Sequence, residues 1–207
     1  MGTLLYYARA VDGTALVALS ALSSQKRKAT KSTKLAIHQL LDYFATQPNA
    51  ILHFSASNMI LKIHSDADYL NETKAWSQAS GHFFLGNLPH KPEVHNGAVL
   101  NPTGILKHIA SSATEAKVGA LFVNTKEGKI VRTTLTEMGF PPPATPVTTD
   151  NSTANRIMND TICRQRSRAI NMRYHWVPIQ EIPGQTLMRF VRCDTGWELP
   201  KLLDVHN

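Results

Sequence analysis

The sequence predicts an α/β fold, a mixed sheet flanked by helices with a helical extension in front, and three observations carry that prediction. Up to Thr46 the apolar residues recur at helical spacing. From Asn49 the chain changes to short alternating runs broken by turn residues. From Ser112 onward helical and strand-like segments alternate, the order of a layered α/β domain.

The elements follow in order. "GTLLYYARA", "TALVALSALSS" and "KSTKLAIHQLLDYFA" read as three helices. "ILHF", a turn at "SASN" and then "MILKIHSD" read as a hairpin, and "GHFFLGN" as the next strand. "LPHKPEVHNG" is a Pro/Gly-rich loop, followed by strand segments in "GAVLN" and "GILKHIAS". Ser112 to Met138 is a long helix, which "PPPATP" ends. "TPVTTD" is a strand. Helices are expected over Ser152 to Thr161 and Gln165 to Glu181, a last strand in "QTLMRFVRCD", and a last helix in "WELPKLLDVH". The expected division is a helical segment over 1–48 and an α/β domain over 49–207.

The chain has 207 residues, of which 43% are apolar and 18% charged, enough for a packed core and too few charges for a disordered tail. Its net charge of +7 favours a polyanionic partner, and nucleic acid is the usual one for a basic domain. Cys163 and Cys193 supply neither a disulfide framework nor zinc spacing. No run reaches the roughly 18 apolar residues of a membrane span, and no basic-then-apolar leader is present. An intracellular setting, cytoplasmic or nuclear, without membrane attachment is expected. The acceptor patterns "NET", "NST" and "NDT" are then chance matches.

Two aspartates stand out. Asp66 is read as ending one strand and Asp150 another, and ligands of open α/β sheets gather at such strand ends. Hard carboxylate oxygens there suit Mg²⁺. Each has a bland alternative: Asp66 as a turn residue, Asp150 as the N-cap of the helix in "DNSTANRIM". Asp68 is assigned to the loop after the strand. Among the basic residues, Lys26, Arg27, Lys28, Lys31 and Lys34 form either a solvated linker or a phosphate-contacting patch. Arg164, Arg166 and Arg168 lie two apart and span a helix junction. They read as phosphate contacts or as a solvated face.

Several motifs in sequence order resemble the end of a copia-type LTR retrotransposon polyprotein. "GTLLYYARAVDGTALVALSALSS" resembles the helical connection that follows a reverse-transcriptase core. "HSDADYLNETKAWSQASGHFF" resembles the first two strands of an RNase H domain, and "NGAVLNPTGILKHIASSATEAKVGALF" its third strand and first helix. "TTDNSTANRIMND" and "RSRAINMRYHW" resemble its aspartate strand and basic helices. The resemblance implies a five-stranded RNase H-like sheet, RNA/DNA hybrid as substrate, and cleavage of the RNA strand. It also implies two Mg²⁺ ions held by four carboxylates, with the rest of a polyprotein as a possible partner. Asp66 and Asp150 match the first and third of those carboxylates.

The other two positions depart from the pattern. The family helix reads Thr-Glu-Ala-Glu, whereas here "TEAKV" places Lys117 at the ligand position. Glu115 cannot substitute directly, because residues two apart on a helix lie about 200° apart. "SATE" over Ser112 to Glu115 gives Glu115 a capping-box role instead. Lys117 shares an apolar stripe with Ala113, Ala120, Leu121, Leu135 and Met138 and lies near a helix N-terminus, so an ammonium there calls for a carboxylate partner such as Asp66, which would put it roughly in the place of a metal ion. At the fourth position "WELPKLLDVH" places Lys201 or Leu202, with Asp204 out of register as the nearest stand-in. With two aspartates against one or two lysines, the expectation is a degenerate copy that retains the fold and nucleic-acid binding. The alternative is an active RNase H with an unusual ligand set.

Overall fold

In the computed structural model of the chain, residues 2–25, 29–72, 75–87, 96–159 and 188–192 are described. They divide into two compact units, one through His53 and one from Phe54.

The first unit contains helices α1 (Gly2–Ala10), α2 (Leu16–Ser24) and α3 (Lys31–Thr46). Their apolar faces meet in a small core of Ala8, Ala15, Leu16, Leu19, Leu22 and Leu40. The turn between α1 and α2 is held by Asp12, whose carboxylate accepts from the Thr14 amide at 3.0 Å. Thr14 Oγ1 in turn lies 2.6 Å from the Tyr43 hydroxyl of α3. Thr30 caps α3 in a reciprocal box with Thr33, so two orphan amides at that end are satisfied.

The second unit is built on the antiparallel pair β1 (Ile60–Glu72) and β2 (Trp76–Gly86). β3 (Ala98–Leu100) and β4 (Thr103–Ile105) both pair with β2. On the other side β5 (Thr145–Thr149) runs parallel to β1, and β6 (Met188–Arg192) parallel to β5. The sheet order is β3-β2-β1-β5-β6, with β4 sharing the β3 edge. The predicted mixed sheet of five positions is therefore present. The β3 edge is split at Asn101–Pro102, where the proline has no N–H for the ladder.

Helix α4 (Ala113–Glu137) packs on β1 and β2, and α5 (Ser152–Met158) follows β5. The core holds Leu61, Ile63, Phe83, Val118, Leu121, Val147, Met158 and Met188. The N-terminal half of α4 packs through small residues, with Ala116 and Ala120 against Ala67 and Ala79. At Gly128 an added Cβ would lie 2.5 Å from Ile63 Cδ1. A helical glycine costs about 1 kcal/mol relative to alanine, and here it permits the close approach.

Several expectations are corrected. Residues 50–59 form no strand; Ile51 and Phe54 are exposed and bury nothing that would reward pairing. "GILKHIAS" contributes only the short β4. Asp66 does not end its strand, nor does Asp68 lie in a loop. The β1–β2 ladder carries Asp66 opposite Ser80 and Asp68 opposite Gln78, and becomes irregular only between Asp68 and Glu72. Non-local pairing with β2 overrides the local turn signal there. Ala113 and Met138, assigned to the core stripe of α4, are exposed at its two ends. The expected helices over Gln165 to Glu181 and in "WELPKLLDVH" lie outside the described residues.

Candidate functional site

The parallel register of β1 and β5 aligns the two aspartates. Ile63 pairs with Val147, and Asp66 and Asp150 each lie three residues further on. Adjacent strands are about 4.8 Å apart, so two carboxylates are brought side by side. This costs free energy unless a cation is supplied.

Lys117 supplies it from the second turn of α4. Its ammonium lies 2.6 Å from Asp66 Oδ1, and 2.5 and 2.6 Å from Asp150 Oδ1 and Oδ2. An ammonium has three N–H donors, and these three oxygens account for all of them. Asp66 Oδ1 also accepts from the Ala67 amide at 2.7 Å. The Lys117 side chain is only 15% exposed, against 30% for Asp66 and 52% for Asp150. Burial by itself pulls the Lys117 ammonium down. The hydrogen bonds to Asp150 and Asp66 and the attraction of both charges outweigh this, leaving its pKa above the ordinary lysine value. Asp68, just outside the triad, is pushed up, first by burial and then by repulsion from Asp66, with Lys117 opposing.

Glu115 turns away from the triad. Its Oε2 accepts from the Ser111 amide at 2.7 Å and the Ser111 hydroxyl at 2.6 Å, while Ser112 Oγ accepts from the Glu115 amide. This corrects the expected capping box by one residue: the returning bond reaches Ser111, not the N-cap Ser112. The cap of α5 is also displaced by one. Asn151, not Asp150, accepts from the Ala154 amide at 2.8 Å, which leaves both Asp150 oxygens for Lys117. Asn124 was not singled out from the sequence. It is buried, and its amide donates to Ser65 Oγ and the Ser80 carbonyl across the helix–sheet interface. Its only sequence signal is a polar residue on an otherwise apolar face.

Lys31 is exposed in the first turn of α3. Lys28, Arg164, Arg166, Arg168, Lys201, Leu202 and Asp204 lie outside the described residues. No helix among the described residues is long and apolar enough to cross a membrane.

Among the described residues, the Asp66–Lys117–Asp150 arrangement does not fit a pair of magnesium ions. A divalent ion would need the Asp66 and Asp150 oxygens that the ammonium already occupies at hydrogen-bond distance. Among the described residues no group of three His, Cys, Asp or Glu is placed to hold a metal.

Over 161 residues the chain is 25% identical to the "Retrovirus-related Pol polyprotein from transposon TNT 1-94" of Nicotiana tabacum. The match covers 78% of this chain and 11% of that protein. The chain is thus similar to part of a retrotransposon Pol polyprotein. This bears out the resemblance to the end of a copia-type polyprotein read from the motifs. No protein-family model matches the chain. Among solved structures it is similar to LC11-RNase H1 isolated from compost, at 10% identity and a TM-score of 0.46. That match covers 65% of this chain and 84% of that one. It is also similar to a foamy viral protease-reverse transcriptase in complex with dsDNA, at 11% identity and a TM-score of 0.46. That match covers 83% of this chain and 31% of that one. The fold itself is a mixed sheet with flanking helices, as expected from the order of elements.

Proposed function

We propose that this chain is the RNase H-like domain of a retrotransposon polyprotein, in a form that binds nucleic acid without cleaving it. The single observation that carries the reading is the Lys117 ammonium, saturated by Asp66 Oδ1 and both oxygens of Asp150. RNase H chemistry relies on two metal ions to activate water and to stabilise the leaving oxygen. Here a monovalent, fixed cation takes the oxygens that would recruit them. It has no open coordination position at which a water is acidified, so no cleavage step is assigned to these residues.

The nucleic-acid partner is supported by the net charge of +7. Lys28, Lys31, Arg164, Arg166 and Arg168 are the phosphate contacts on this reading, with an RNA/DNA hybrid as ligand. Such binding weakens steeply with salt, because each neutralised phosphate releases counterions.

The test is a hybrid-cleavage assay in Mg²⁺ and in Mn²⁺, run beside a binding titration at several salt concentrations. The expected result is salt-dependent hybrid binding with no cutting. Robust cutting that Asp66→Asn abolishes would overturn the non-catalytic reading. No binding even at low salt would overturn the nucleic-acid role.

A further inference from the structure

Lys117 is not the only cation that α4 extends to β5. Arg132, about one and a half turns from the other end of the helix, is half-buried and reaches the segment entering that strand. Its Nη1 donates to the Pro143 carbonyl at 2.5 Å and to Thr145 Oγ1 at 2.6 Å, and its Nη2 donates to the Pro142 carbonyl at 3.0 Å. The acceptors suit a guanidinium. Pro141, Pro142 and Pro143 have carbonyls but no N–H groups, so this segment cannot satisfy itself by forming a ladder or a helix. A planar fork can bond two successive carbonyls and the adjacent hydroxyl at once. Thr145, the first residue of β5, is fully buried, so its hydroxyl needs such a partner.

The two cations act on opposite ends of one strand. Lys117 and Arg132 are fifteen residues apart, about 22 Å along the helix axis. Fifteen steps of 100° also return to within about 60° of the starting direction, so both face the sheet. β5 runs antiparallel to α4, with Thr145 near the Arg132 end and Asp150 near the Lys117 end. Its sheet neighbours β1 and β6 are both parallel to it. No hairpin therefore sets its axial position, and parallel partners arrive only from distant sequence.

We infer that Arg132 is a positioning residue for the Asp66–Lys117–Asp150 triad: by clamping the prolyl entry of β5 it sets how far the strand extends and hence where Asp150 meets the ammonium. The inference goes beyond the proposed lack of cleavage and does not depend on it, since the geometry of the triad is at issue and not its activity.

The test reads the Lys117 ammonium directly by ¹⁵N NMR of the lysine side chains, with the signal assigned by its loss in Lys117→Met. In the parent a hydrogen-bond-saturated ammonium exchanges slowly with water and gives a resolved signal. In Arg132→Met that signal is expected to shift toward the solvent-exposed lysines and to exchange faster. Arg132→Lys keeps the charge but not the fork, so it is expected to behave like Arg132→Met. A pure charge effect predicts otherwise. At about 22 Å, beyond the Debye length of about 8 Å, removing a positive charge would leave the Lys117 ammonium unchanged or hold it slightly more firmly. Thr145→Val removes one of the three acceptors and serves should Arg132→Met not fold; a smaller shift in the same direction is expected. An unmoved Lys117 signal in a folded Arg132 or Thr145 variant overturns the inference, even if stability falls. Hybrid cleavage by the parent would overturn the proposed function and leave this result standing.

Discussion

Replacing Lys117 by methionine is the most direct perturbation of the triad, because it keeps most of the side-chain volume and deletes the charge. Two limits bracket the cost. An exposed ion pair contributes about 0–1 kcal/mol, and breaking a buried one costs about 3–5 kcal/mol because a charge is left unpaired. The triad lies between them: Lys117 is 15% exposed, but Asp150 is 52% exposed and its charge is partly screened by water. Two carboxylates on neighbouring strands would then face each other without a cation. The expected loss is about 2 kcal/mol, between the two limits. For a chain of this size that is a fall in Tm of about 4–8 °C. Thermal unfolding by circular dichroism in low salt at neutral pH measures it. Because Lys117 is held above its ordinary value of 10.5, its contribution is fully present below that pH. It is lost only as the pH rises through the elevated folded value. The parent and Lys117→Met curves should therefore stay apart at neutral pH and converge only in strong alkali. A variant as stable as the parent at neutral pH would refute the view that the ammonium offsets the repulsion between the two aspartates.

Three further outcomes are expected. Lys117→Glu should be less stable than the parent in EDTA and should regain stability as Mg²⁺ is titrated, whereas the parent midpoint should not move; binding to the folded state alone raises stability as RT ln(1 + [L]/Kd). Asp68→Asn should raise stability at pH 7, because burial and Asp66 hold that carboxyl above its ordinary 3.8. Stability linked to a raised pKa is present below the unfolded value and lost as pH rises through the folded one, so the advantage of asparagine should vanish below about pH 3.8 in a pH-resolved urea series. Gly81→Ala should destabilise by about 1–3 kcal/mol: the new Cβ would lie 2.8 Å from Phe83 Cε2 and 2.9 Å from Asn124 Cγ. Asn124 cannot yield without losing Ser65 and Ser80, and urea unfolding of the variant reads the cost.

Local pattern made the helices legible. Ser112 begins α4 and the prolines after Phe140 follow its end, because capping and the missing proline N–H act within a few residues. Lys117 was legible as a misplaced charge for the same reason: a helix N-terminus and an apolar stripe are both local facts. Strand limits were less so. The extension of β1 past Asp66 depends on β2 opposite it, and the absence of a strand at "ILHF" goes with the exposed Ile51 and Phe54, which gain no burial there. The one-residue displacements at Ser111 and Asn151 also exceed what sequence decides, since neighbouring residues of equal capping ability compete and backbone geometry selects one.

The sequence by itself determined helices α1 to α4, the two aspartates and a lysine out of place in an apolar stripe near a helix N-terminus. Only the tertiary structure decided that these three meet. That required parallel pairing between β1 and β5, residues far apart in the chain, and a helix brought close by alanines and glycines. It also required a clamp between Arg132 and a run of prolines that no periodicity announces. Charge and spacing are properties of the chain, but an ammonium saturated by three oxygens is a property of their arrangement in space.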